Sequence, residues 1–158
     1  MGPVVINKVD WTHPDATSLR DAQQLEIDGL REIGNGTPAS SANVPVFLVA
    51  YDGLEPVACG GLRPLSSQGL PGQAEIKRMY VVPSRRGSGE GQPLVALSVL
   101  EALEEVAKEH EWTVLKVETS VLMGQARRFY EKHGYVTCEV FGGYRFSSQS
   151  AYYEKRLL

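Results

Sequence analysis

One run near the middle of the chain, Val81-Val82-Pro83-Ser84-Arg85-Arg86-Gly87-Ser88-Gly89-Glu90-Gly91, restricts the fold more than any other segment. A strand pattern ends where it starts and a helical pattern begins where it stops, so it is a strand-to-helix turn. Gly87, Gly89 and Gly91 alternate with Ser88 and Glu90, which lets successive backbone N–H groups converge on one point. That point lies at a helix N-terminus, where the dipole favours an anion. Arg85 and Arg86 stand just ahead of it. A phosphate or pyrophosphate is the ligand such a turn suits. Two familiar nucleotide motifs do not fit. There is no G-x-x-x-x-G-K-[ST], and the spacing differs from G-x-G-x-x-G, which belongs in a first βα unit.

The flanking patterns supply the rest of the fold. Val4 to Val9 alternates as a first strand. Pro14 and Asp15 open a helix whose apolar stripe runs through Leu19, Ala22, Leu25, Leu30 and Ile33 to Gly34-Asn35-Gly36. Strands are expected at Val46 to Tyr51 and Pro56 to Leu65, joined by an Asp52-Gly53 turn, and again at Ala74 to Val82. A long amphipathic helix follows from about Gly91 to His110, with Leu94, Leu97, Leu100 and Leu103 inward. Val114 to Glu118 reads as a strand and Gln125 to Lys132 as a helix stopped by Gly134. Tyr135 to Phe141 and Ala151 to Leu158 read as the last two strands. The order β-α-β-β-β-α-β-α-β-β describes a single α/β domain over residues 1–158, a mixed sheet flanked by helices.

Two separate motifs sit in this frame. Arg86, Gly89 and Gly91 match [Q/R]-x-x-G-x-[G/A], and the longer V-x-P-x-x-R-G-x-G-x-G is matched from Val81. Downstream, Ala126-Arg127-Arg128-Phe129-Tyr130-Glu131-Lys132-His133-Gly134-Tyr135 is similar to A-x-x-F-Y-E-K-x-G-F. In this order the chain resembles the GNAT superfamily of acyl-CoA-dependent N-acetyltransferases over roughly residues 45–158. The resemblance implies a GNAT-like, mainly antiparallel sheet. It implies acetyl-CoA as co-substrate, with its pyrophosphate on Arg85, Arg86, Gly87, Ser88, Gly89, Glu90, Gly91 and Gln92. The pantetheine arm would lie along the main chain of Met79, Tyr80, Val81 and Val82. It also implies transfer of the acetyl group to a primary amine by direct attack, and a homodimer paired through exposed last strands.

Roles for single residues follow from the same resemblance. Glu75, fourteen positions before Gly89, is the candidate general base, and Tyr130 the candidate acid that protonates the departing thiolate. Glu26, Glu32, Tyr144 and Ser147 are candidates for the acceptor pocket. Three positions depart from the family pattern: Glu90, Pro93 in the first helical turn, and Met123 where an asparagine is common. They favour the alternative of a non-catalytic acyl-CoA sensor on the same fold.

Composition narrows the partners. The net charge of −3 gives none of the basic surface that nucleic-acid binding needs, and suits a neutral or cationic small-molecule or peptide amine. No apolar run reaches the length of about 18 residues that a membrane helix requires, and the first residues do not read as a signal peptide. Cys59 and Cys138 lack metal-ligand spacing and fit buried thiols in a reducing cytoplasm. His13, His110 and His133 show neither metal spacing nor a nucleophile partner, so no metal is expected.

Overall fold

The computed structural model describes residues 4–27, 36–86 and 95–157. It contains seven strands and three helices among these residues: β1 (Val5–Val9), α1 (Pro14–Ile27), β2 (Val46–Asp52), β3 (Glu55–Pro64), β4 (Gln73–Val81), α2 (Val95–Glu109), β5 (Val114–Ser120), α3 (Gly124–Lys132), β6 (Val136–Thr137) and β7 (Ser150–Arg156). The order is the expected one. One strand is far shorter than its pattern suggests. Tyr135 to Phe141 pairs only at Val136 and Thr137, and Cys138 adds one further bond to the Tyr152 carbonyl. Beyond it the backbone leaves the sheet so that Phe141 can pack with Leu65, Tyr144 and Tyr152.

A single seven-stranded sheet, ordered β1-β2-β3-β4-β5-β7-β6, organises the molecule. All neighbours are antiparallel except β4 and β5. The alternation of β2 shows how both faces are filled. Val46, Leu48 and Ala50 join Val99, Leu100 and Leu103 of α2 in one core cluster. Phe47 and Val49 point the other way, to Ala16 and Leu19 of α1. Gly60 lets α2 approach β3, because a Cβ there would lie 3.0 Å from Leu103 Cδ1.

Two irregularities in β4 prepare a site. The first is a bulge. Register passes from Cys59↔Tyr80 to Gly61↔Lys77, so Arg78 and Met79 together oppose Gly60. Arg78 adopts φ +58°, a left-handed conformation held by its own side chain. Nη1 donates to Gln24 Oε1 and Nη2 to the Arg20 carbonyl, both at 3.1 Å. The bulge reverses side-chain parity, so Glu75, Lys77 and Tyr80 share the α1 face while Met79 turns towards α2. The second irregularity is a fork. β4 pairs with β5 only over Gln73, Ala74 and Glu75, and then the two parallel strands separate.

Candidate functional site

Past Glu75, β3 still holds one edge of β4 while the other edge is released. The Val82 N–H bonds the Val57 carbonyl of β3, so by alternation the peptide groups of Met79 and Val81 face the gap. Two side chains cap their carbonyls. Gln23 Nε2 donates to Met79 O and Arg86 Nε donates to Val81 O, each at 2.9 Å. A cavity of about 640 Å³ opens here. Its walls are Gln23, Glu26 and Ile27 of α1, Met79, Tyr80 and Val81 of β4, then Arg85 and Arg86, with α3 opposite.

Of the expected cofactor residues, Met79, Tyr80, Val81, Arg85 and Arg86 thus converge on one cavity. Val82 does not line it, because its amide belongs to the β3 ladder and its side chain packs in the core. Gly87, Ser88, Gly89, Glu90, Gly91 and Gln92, with Pro93, lie outside the described residues. Both arginines are already engaged. Arg86 forks onto Glu26 through Nη1 at 2.7 Å and Nη2 at 2.9 Å, and this guanidinium holds the Glu26 carboxyl below the usual carboxylate range. Arg85 pairs with Asp52 at 2.5 Å and Glu55 at 3.3 Å on the β2–β3 hairpin. Glu26 therefore reaches the cavity wall as a partner of Arg86.

Tyr130 stands on the α3 side. Its ring packs in the main core against Phe129 and Tyr135, and burial pushes its phenol well above the ordinary tyrosine value. Its hydroxyl has no hydrogen-bond partner among the described residues. A phenol in this state stays protonated and can give its hydrogen to a group that enters the cavity.

Glu75 and Tyr144 come together elsewhere, off the cavity wall. Glu75 lies opposite Arg63 in the β3–β4 register and is 1% exposed. Its Oε1 accepts from Arg63 Nη2 at 2.8 Å and Nε at 3.2 Å. Its Oε2 accepts from the Tyr144 hydroxyl at 2.5 Å, with Lys77 Nζ at 3.6 Å. Lys77 also donates to Tyr144 at 2.8 Å, and burial together with the Glu75 charge pushes that phenol up. Both carboxylate oxygens are committed. This closed set sits at the vertex of the fork, where the register aligns Arg63, Glu75, Lys116 and Glu154 across four strands.

The sequence reading missed several wall residues. Gln23 gave no signal because its partner is a backbone carbonyl 56 positions away. Gly124, Gln125 and Ala126 expose the first turn of α3, whose N-cap Met123 makes no side-chain cap bond. Arg128 and Lys132 line the same wall without a carboxylate partner among the described residues. Their i,i+4 spacing within the second motif was the available signal. Among the described residues no His, Cys, Asp or Glu cluster could hold a metal, and no helix is long and apolar enough to cross a membrane.

Known proteins share this fold. The family model for an acetyltransferase (GNAT) domain matches residues 43–137. An IAA acetyltransferase of Azospirillum brasilense is 33% identical over 111 residues, covering 70% of this chain and 67% of the relative. A crystal structure described as an acyl-CoA N-acyltransferase from Klebsiella pneumoniae superposes with a TM-score of 0.81 at 24% identity, covering 98% of each chain. The PaiA N-acetyltransferase of Thermoplasma acidophilum, solved in complex with coenzyme A, has the same fold with a TM-score of 0.68 at 13% identity. That match covers 98% of this chain and 99% of the other.

Proposed function

Because the chain belongs to the GNAT acetyltransferase family, we propose that it transfers the acetyl group of acetyl-CoA to a primary amine on a small molecule or peptide. The observation that carries this reading is the fork. β4 leaves β5 after Glu75, and its edge at Met79 and Val81, no longer paired with β5, faces a cavity lined also by Tyr130, whose hydroxyl has no partner among the described residues. An extended chain of amides can bond such an edge as an added strand would. Arg128 and Lys132, without a carboxylate partner among the described residues, and the exposed amides at the start of α3 suit the phosphates such a ligand carries. When bound, acetyl-CoA supplies an acyl carbonyl activated as a thioester and a thiol as leaving group.

The residues of the chain divide the remaining work. Met79 and Val81 orient the arm through their main chain. The cavity walls hold the amine near the reacting carbon, and proximity supplies much of the acceleration. As the new C–N bond forms and the C–S bond breaks, the amine loses a proton to water and Tyr130 gives one to the sulfur. Proton removal is assigned to water because both oxygens of Glu75 are committed at the fork vertex. Glu75 is assigned to holding that vertex.

A thermal-shift titration with CoA and acetyl-CoA, followed on the same sample by thiol release against a panel of primary amines, tests this. Saturable stabilisation with amine-dependent thiol release is expected. Stabilisation without release from any amine would transfer the chain to the non-catalytic sensor reading. No stabilisation at millimolar ligand would end both.

A further inference from the structure

We infer that Gln23 positions the acceptor nitrogen, its Oε1 accepting a hydrogen bond from the amine; this rests on the acyl-transfer reading above. The orientation of the Gln23 amide is fixed by chemistry. Met79 O can only accept, so the nitrogen of the side chain must face it, as it does at 2.9 Å. The oxygen then points away from the strand. Oε1 is shielded from solvent and has no hydrogen-bond partner among the described residues, although Gln23 lines the cavity. A buried acceptor left unpaired is destabilising by about 1–3 kcal/mol and is rare without a functional reason.

The place of this orphan oxygen decides its partner. Met79 belongs to the bulge, on the stretch of β4 beyond its last pairing with β5 at Glu75. A side chain bonded to that carbonyl lies beside any acyl group carried along the strand edge. The other polar group of α1 on this wall, Glu26, lies one turn on and is forked onto Arg86. Gln23 is thus the one side chain of α1 on this wall, among the described residues, whose acceptor oxygen has no protein partner. A neutral primary amine has two N–H groups and one lone pair. Donating one N–H to Oε1 leaves the lone pair free to point at the strand. An amide oxygen can do this without trapping the amine as a charged pair, which a carboxylate at this position would favour.

The test uses Gln23→Leu, which keeps the volume and removes both polar atoms, and Gln23→Glu, which keeps accepting oxygens but cannot donate to Met79 O and adds a charge. Wild type and both variants are assayed by thiol release from acetyl-CoA, with lysine, spermidine, phenethylamine and an alanyl peptide as acceptors. Gln23→Leu is expected to raise KM for the preferred amine about tenfold, the loss of one hydrogen bond, with KM for acetyl-CoA within about twofold of wild type. Gln23→Glu is expected to recover none of that loss, because a carboxylate cannot donate to Met79 O and holds the amine as its ammonium. Thermal midpoints and CoA titrations show that the variants are folded and still bind. An unchanged amine KM in Gln23→Leu, or a rise in acetyl-CoA KM instead, would overturn this inference alone. A folded wild type that releases no thiol with any of the four amines would overturn the acyl-transfer reading, and this inference with it.

Discussion

Glu75 and Tyr130 are both buried, yet their surroundings predict opposite outcomes when each is replaced. Glu75 is the carboxylate that Arg63, Lys77 and Tyr144 converge on. Glu75→Gln leaves the Arg63 guanidinium, 7% exposed, without its counter-charge. Removing one partner of a buried pair costs about 3–5 kcal/mol, so the urea midpoint should fall sharply while kcat per folded molecule changes less than about tenfold. A normal midpoint with collapsed turnover would instead make Glu75 the general base. Tyr130 is the reverse case. Its hydroxyl bonds nothing among the described residues, so Tyr130→Phe keeps the packing and should leave stability within about 1 kcal/mol of wild type. Loss of a general acid lowers kcat by about a hundredfold. Because burial raises this phenol, the wild-type rate should show no Tyr130-dependent alkaline loss until the pH passes the ordinary tyrosine value near 10. An equally active Phe variant would remove Tyr130 from the chemistry.

The fork depends on β3 staying straight beside a β4 that bulges, and two glycines make that fit. A Cβ on Gly61 would lie 2.8 Å from Phe47 Cδ1 and Val44 Cγ1 and 2.9 Å from the Val46 carbonyl oxygen. The last is backbone of the paired strand and cannot swing aside. Gly61→Ala should therefore cost about 1–3 kcal/mol in chemical denaturation, whereas Gly53→Ala meets nothing within 4 Å and strains only its positive φ. A Gly61→Ala protein as stable as wild type would show that β2 and β3 can separate there. The element order was legible because period-2 and period-3.6 patterns alternate cleanly along this chain. The shortened β6 was not, since its alternation through Val140 reads as strand while the Phe141 ring is drawn into the cluster of Leu65, Tyr144 and Tyr152. The second motif led directly to Tyr130 and its wall. The Arg63 partner of Glu75 was hidden because the two lie opposite only once the register is known, and the Gln23 contact because its partner is main chain.

At the scale of the whole molecule, the core holds several acidic side chains in neutral form, and this sets an alkaline limit on stability. Burial pushes the Cys59 thiol up to about 12 from its ordinary 9.0, and raises the phenols of Tyr130, Tyr135 and Tyr144 from 10.0. The unfolded chain ionises these groups at their ordinary values, and the folded chain holds their protons to higher pH. Ionisation therefore favours the unfolded chain first. Stability from these groups is complete below about pH 9 and is lost as the pH rises, through Cys59 first and then through the tyrosines. Each group that ionises only on unfolding removes about 1.4 kcal/mol per pH unit above its unfolded value. Urea midpoints at pH 8, 9, 10 and 11 should fall gently between pH 9 and 10 and steeply above 10. Cys59→Ala should lessen the fall in the first segment, to which the Cys138 thiol, also raised by burial, contributes the rest, and leave the second unchanged. A midpoint constant to pH 11 would mean that these side chains reach solvent in the folded protein, and that the core around the fork is more open than its packing indicates.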